Sequence, residues 1–172
     1  MPIRVVTKTL SYLDAVVHWA GCRDAATCTE ARSAFAAKSD YVAAPLSAAA
    51  ISTVINAVAA RQGHGRGALY FDSSGGAINR VPKAATAFVH RDSLFSIQYT
   101  SGGDSSSLAW LANLYAQMRP HVSGFAYQNY IDPNLPTWPH AYYGGNLPRL
   151  EAVKRKVDPH GFFRFPQSIR SA

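Results

Sequence analysis

The chain is 172 residues long, 48% hydrophobic and only 16% charged, a composition that can bury a core and excludes a highly charged disordered polymer. Its net charge of +7 rests on 17 Lys and Arg residues spread from Arg4 to Arg170, which argues against a dedicated nucleic-acid-binding stripe. No apolar stretch approaches the ~20 residues that span a bilayer, and MPIRVVTKTL lacks the apolar run of a secretory signal; the expectation is a cytoplasmic protein, or a piece whose targeting segment lies elsewhere.

In chain order, SYLDAVVHWAG places Leu13, Val16, Val17 and Ala20 on one helical face before Gly21, a short amphipathic helix. Cys22 and Cys28 follow without metal-spaced companions, leaving a local disulfide or free thiols. Residues 29–38 read as a second helix. Ser47 opens a third, with Ile51, Val54, Ile55 and Val58 at helical spacing. The three helices are expected to cover one face of a sheet.

Beyond the GHGRG loop the period shortens, and 68–71, 76–81, 84–89 and 94–100 read as strands of an antiparallel meander. A helix capped by Asp104 or Ser105 then carries Leu108, Leu111, Leu114, Tyr115 and Met118 inward until Pro120. In the Tyr-, Pro- and Gly-rich remainder only 147–157 reads as helical. An irregular segment this long and aromatic is expected to carry function or to wrap something. Segregated helices and strands give an α+β class: an antiparallel sheet backed by helices, with an irregular tail. Trp19, Trp110 and Trp138 read as packing residues, His64 as an exposed loop histidine, and His90 with Arg91 as anchors of a strand end. There is no G-x-S-x-G elbow and neither cysteine has a histidine partner in sequence, which weighs against a hydrolase.

Seven segments go further: KSDYVAAPLS at 38–47, GGAINRV at 75–81, ATAFVHR at 85–91, LFSIQY at 94–99, YQNYID at 127–132, YYGGNLPRLEAVKRKVDP at 142–159 and FPQSI at 165–169. Their kind and order resemble the C-terminal part of berberine-bridge-type FAD-linked oxidases of the vanillyl-alcohol-oxidase superfamily, and several agreeing landmarks weigh more than any one. The resemblance implies a partial substrate domain over 1–120 and a berberine-bridge-like C-terminal segment over 121–172. It implies that the flavin-binding lobe and the early strands of the sheet have no counterpart here.

The chemistry so implied is oxidation of an alcohol, phenol or amine, with a base taking a proton, hydride passing to flavin N5 and dioxygen reoxidising the flavin. Tyr130, second tyrosine of the Tyr-x-Asn-Tyr motif, takes the place of the base; Asn129 and Tyr127 are expected at the FAD. A tyrosine ionises near ~10, so nearby cations would have to lower it, or the proton would have to move on in concert. Strand alternation would set Tyr127 and Asn129 on one side and Gln128 and Tyr130 on the other. It also puts Ser96 and Gln98 on one side, as candidate substrate contacts; serine stands where plant relatives often have lysine.

The implied partners are FAD, a small-molecule substrate, dioxygen and a flavin-binding domain or chain not present here. Neither nucleic acid nor membrane is expected, while a homo-oligomer is possible because a missing strand leaves an edge. The alternative is a truncated non-catalytic domain or the partner subunit of a separate FAD-binding chain. The Arg149, Lys154, Arg155, Lys156, Arg164 and Arg170 cluster is a solvated face, or one directed at an anion such as a dinucleotide pyrophosphate.

Overall fold

The computed structural model describes residues 7–26, 28 and 33–171, in two compact units, Met1–Ser33 and Ala34–Ala172. In the first, helix α1 spans Tyr12–Trp19, its N-cap Ser11 side chain accepting from the Asp14 N–H. Only Val17 of this helix is buried; Leu13, Val16 and Trp19 are exposed, so Trp19 is not the packing residue its type suggests. Cys22 and Cys28 form a disulfide.

The second unit is built on a three-stranded antiparallel sheet in the order β1-β3-β2. Strand β1 is Phe35–Val42, β2 is Gly67–Ser73 and β3 is Phe95–Gly102. β1 overturns the expectation of a helix over 35–38, while 29–32 lie outside the described residues. Alanine-rich local propensity yields here to pairing, because central β3 needs a partner along its whole length, from Phe35 opposite Gly102 to Val42 opposite Phe95.

Two helices cover one face of the sheet. α2 spans Ala48–Arg61 with Ser47 as its cap, and α4 spans Ser105–Met118 with Asp104 accepting from the Ser107 N–H at 3.0 Å. Hydrogen bonds from Ser107 and Ser106 hold the Asp104 carboxyl well below the usual carboxylate range. Val42, Ile97, Tyr99, Leu111, Leu114 and Met118 form the core between sheet and helices. Arg61, itself buried, donates to the Ser107 hydroxyl and lies on the Trp110 ring, joining the two helices. The buried side of α2 runs through Ala50, Val54 and Ala57, whereas Ile51, Ile55 and Val58 are exposed. Leu108 of α4 is also exposed. Periodicity located these helices, but three strands cannot cover so wide an apolar stripe.

Segments 76–81 and 84–89 are not strands. Ala77–Arg80 is one helical turn, α3, entered through Gly75 and Gly76 at φ 134° and 52°. Side chains satisfy the following backbone in place of a ladder: Asn79 donates to Ser93 O, Arg91 to Ile78 O and Phe88 O, and Asn146 to Lys83 O and Thr86 O. Arg91 is thus an anchor, of a loop rather than of a strand end.

The tail is more structured than its composition suggests. After a 3₁₀ turn at Arg119–His121 it contains α5, Trp138–Tyr143, and α6, Leu147–Val157. Ala126, Leu135, Ala141 and Tyr142 make a second small core against which Trp138 packs. Among the described residues no helix is long and apolar enough to cross a membrane.

Candidate active site

The outer edge of β1 receives the tail. Tyr41 N–H donates to Phe125 O at 3.2 Å, Ser123 N–H to Tyr41 O at 2.9 Å, and Tyr127 N–H to the Ser39 hydroxyl at 2.8 Å. The chain then closes a turn, Tyr130 N–H donating to Tyr127 O at 3.0 Å. This turn removes the alternation expected of an extended segment. Asn129 Nδ2 donates to the Tyr127 hydroxyl at 2.8 Å, and the Tyr127 and Tyr130 rings meet edge to face with centroids 5.0 Å apart.

A cavity of about 920 Å³ opens beside the turn. Phe35, Leu108, Leu111 and Ile131 give it apolar walls, while Lys38, Gln98, Asn129, Tyr130 and Asp132 supply polar groups. Three of the five residues expected from sequence, Gln98, Asn129 and Tyr130, therefore line one space. Tyr127 stands behind them, holding Asn129 and Tyr130. Ser96 shares the Gln98 side of β3, opposite Ile97 and Tyr99, but lies between Tyr41 and Asp72 in the ladder and is not among the cavity's lining residues.

Lys38 and Asp132 were not singled out from sequence. They form an ion pair at 2.5 Å across 94 positions of sequence, with Lys38 also over the Tyr115 ring. The signal available was their place at the ends of two landmarks, since Lys38 opens KSDYVAAPLS and Asp132 closes YQNYID.

Tyr130 is not primed as a phenolate. Burial first, then the Asp72 carboxylate and Tyr127, raise its pKa above the usual 10.0. Tyr41, buried behind the turn, is raised further by desolvation and by both motif tyrosines. Tyr41 stacks on His90 at 4.0 Å, and Phe88 and Phe125 approach the same imidazole edge-on. His90 is buried, and neither ring nitrogen makes a hydrogen bond of good geometry, the Tyr142 backbone lying close enough only to oppose in part the effect of burial.

Desolvation pushes His90 down to about 4 from the ordinary 6.5. The unfolded chain therefore takes up that proton first; the stabilisation is complete above 6.5 and lost as pH falls toward 4, about 3 kcal/mol in all. Buried Asp40, raised to about 7, acts in the opposite direction, so the comparison must isolate the histidine. Urea midpoints at pH 7.5 and 4.5 are expected to show a smaller acid loss in His90→Phe than in the parent chain.

The basic cluster is partly used inside the fold. Lys154 pairs with Asp158 and donates to Phe163 O, and Arg149 donates to Ala84 O at 2.8 Å.

A small antiparallel sheet, helix-covered on one side, with a tyrosine-bearing turn at its edge, is the architecture that known proteins match. Residues 126–170 match the family described as berberine and berberine like. The FAD-linked oxidoreductase YvdP of Bacillus subtilis is 42% identical over 105 residues, covering 58% of this chain and 23% of that protein. The structure of Physcomitrella patens BBE-like 1 superposes with a TM-score of 0.71 at 39% identity, over 81% of this chain and 31% of that one. A glycopeptide hexose oxidase, DBV29, solved with teicoplanin, gives a TM-score of 0.71 at 31% identity, over 85% and 34%. The chain belongs to the berberine-bridge-like family and corresponds to a C-terminal part of such a protein, spanning between about a quarter and a third of the length of these relatives.

Proposed function

We propose that this chain supplies the substrate-side half of the active site of an FAD-dependent oxidoreductase that oxidises an alcohol, phenol or amine group. The observation that carries this reading is the convergence of Tyr130, Asn129 and Gln98 on one cavity from segments far apart in sequence. In this reading 1–120 is a partial substrate domain and 121–172 the segment that closes the flavin site.

The residues fit such a group. Asn129 is exposed and spends its amide on Tyr127, while its carbonyl oxygen, without a hydrogen-bond partner among the described residues, is available to a flavin N–H. Apolar walls with a few convergent polar groups suit a flat aromatic ring system and a small substrate. When bound, FAD supplies the two-electron acceptor, with dioxygen as the final oxidant.

The chain's own residues orient the substrate and move its proton. Gln98 offers both a donor and an acceptor to a substrate hydroxyl. Tyr130, with its pKa raised, holds its own proton at neutral pH and releases it to solvent at the open cavity as it receives the substrate's, instead of resting as an anion.

One observation favours a separate or preceding flavin-binding partner: Phe162, Phe163 and Phe165 are all exposed within four residues of the tail, an apolar cluster that a partner surface would cover. Titrating the 172-residue chain with FAD, and following flavin fluorescence, tests the flavin contact. Saturable quenching weakened about tenfold in Asn129→Ala is expected, the effect of about one hydrogen bond. Binding indifferent to Asn129→Ala would remove that residue from the flavin contact, and no binding would leave the flavin to the partner.

A further inference from the structure

Asp132 sits two residues beyond Tyr130 and is almost fully buried, at 5% exposure. Its carboxylate receives Lys38 Nζ on Oδ2 at 2.5 Å and the Asn134 N–H on Oδ1 at 3.0 Å. Its backbone N–H donates to the Tyr142 hydroxyl at 3.0 Å, and its carbonyl accepts from Gln167 Nε2 at 2.7 Å. The Tyr142 hydroxyl in turn lies 3.4 Å from Gln167 Oε1 as its donor. Every polar group of Asp132 is engaged, and its side-chain partners come from β1, from α5 and from the last residues of the chain.

A buried carboxylate satisfied in this way has one arrangement, because each alternative strands a charge or an amide away from water. The same residue lies two positions beyond the turn that carries Asn129 and Tyr130 and opens the next one, Leu135 N–H donating to its carbonyl at 3.1 Å, and both Lys38 and Asp132 line the cavity. We propose that Lys38, Tyr142 and Gln167 form a positioning set on Asp132, which locks the 128–134 loop against the β1 edge and so fixes where Asn129 and Tyr130 face the cavity. The catalytic importance of that placement rests on the function proposed above; the mechanical lock does not. None of the three partners need touch the reacting atoms. A shift of about 1 Å at a positioned base is enough to reduce turnover severely.

Hydrogen exchange read by mass spectrometry on the full 172-residue chain tests the lock directly. In Lys38→Met, peptides covering 128–134 are expected to exchange about tenfold faster or more, while those covering α4 and β3 keep their rates. Lys38→Arg, which keeps the charge and the donors, is expected to return the loop to near its original rate. If Lys38→Met loosens the whole unit, Gln167→Leu decides, since it removes one donor without stranding a charge. Loop-confined acceleration there supports the lock, and unchanged or fold-wide exchange overturns it.

FAD titration of the same variants keeps the two readings apart. A loosened loop with unaltered flavin affinity would leave the lock standing and count against the proposed flavin contact. An unloosened loop would remove the lock and leave that contact to be judged by Asn129→Ala.

Discussion

Tyr130→Phe is expected to lower turnover of the flavin-loaded protein by about 100- to 10,000-fold, the range associated with removing a positioned proton-transfer group. Fold stability and flavin affinity are expected to stay near their original values. The phenol oxygen is the only group removed, and the ring that packs edge to face on Tyr127 remains. A stability loss as large as the activity loss would show that Tyr130 acts as a packing residue. The pH dependence sharpens the test. Burial and the Asp72 carboxylate keep the phenol protonated beyond its ordinary 10.0, so the rate should show no limb from Tyr130 ionisation between about pH 6 and 9. Such a limb, lost in Tyr130→Phe, would mean that a cation contributed by a partner lowers this tyrosine after all.

The second large effect concerns stability. Asp40 is fully buried in β1, and Arg119, just after α4, makes its ion pair. Arg119 also donates to Gly124 O at 3.4 Å and to the Tyr115 hydroxyl at 3.3 Å, which joins the end of α4 to the start of the tail. Burial already pushes the Asp40 carboxyl up to about 7 against the pull of Arg119. Arg119→Met is expected to cost about 3 kcal/mol or more at pH 8, because it strands a buried carboxylate.

The sign of its pH dependence follows from the raised pKa. A carboxyl that binds its proton more tightly when folded contributes stability below its unfolded value of 3.8, and that contribution fades as pH rises past about 7. Without the arginine the folded value rises further. The penalty for Arg119→Met should therefore be smaller at pH 5 than at pH 8, measured by urea midpoints, and Asp40→Asn should remove most of that difference. A pH-independent penalty would mean that the lost cation–π contact with Tyr115, rather than the charge, accounts for the cost.

Sequence was sufficient wherever the signal was local. Ser47 and Asp104 cap the helices they announce, and the 94–100 pattern marks β3 almost to its ends. The order of seven short landmarks pointed to the berberine-bridge-like family and to the Tyr-x-Asn-Tyr motif, because such motifs are written in neighbouring residues. Long-range balance is not written that way. Residues 35–38 are a strand because β3 pairs with them, whereas 76–81 holds one helical turn and 84–89 is a loop, with Arg91 taking the carbonyls of Ile78 and Phe88 and Asn146 that of Thr86 in place of a ladder.

The site divides along the same line. The resemblance to the family named Tyr130 and Asn129, and strand alternation added Gln98, but only the tertiary structure closes the 127–130 turn and brings these three to one cavity. Only the fold, too, joins Lys38 to Asp132, since a partner 94 positions away has no periodicity to betray it. From sequence Tyr130 is a base that either needs a nearby cation or hands its proton on in concert; what sets its proton affinity in the fold is the solvent excluded around it and the carboxylate of Asp72 brought near from β2. A sequence names the groups that can do chemistry, whereas desolvation and distance, which fix what state those groups rest in, exist only once the chain has folded.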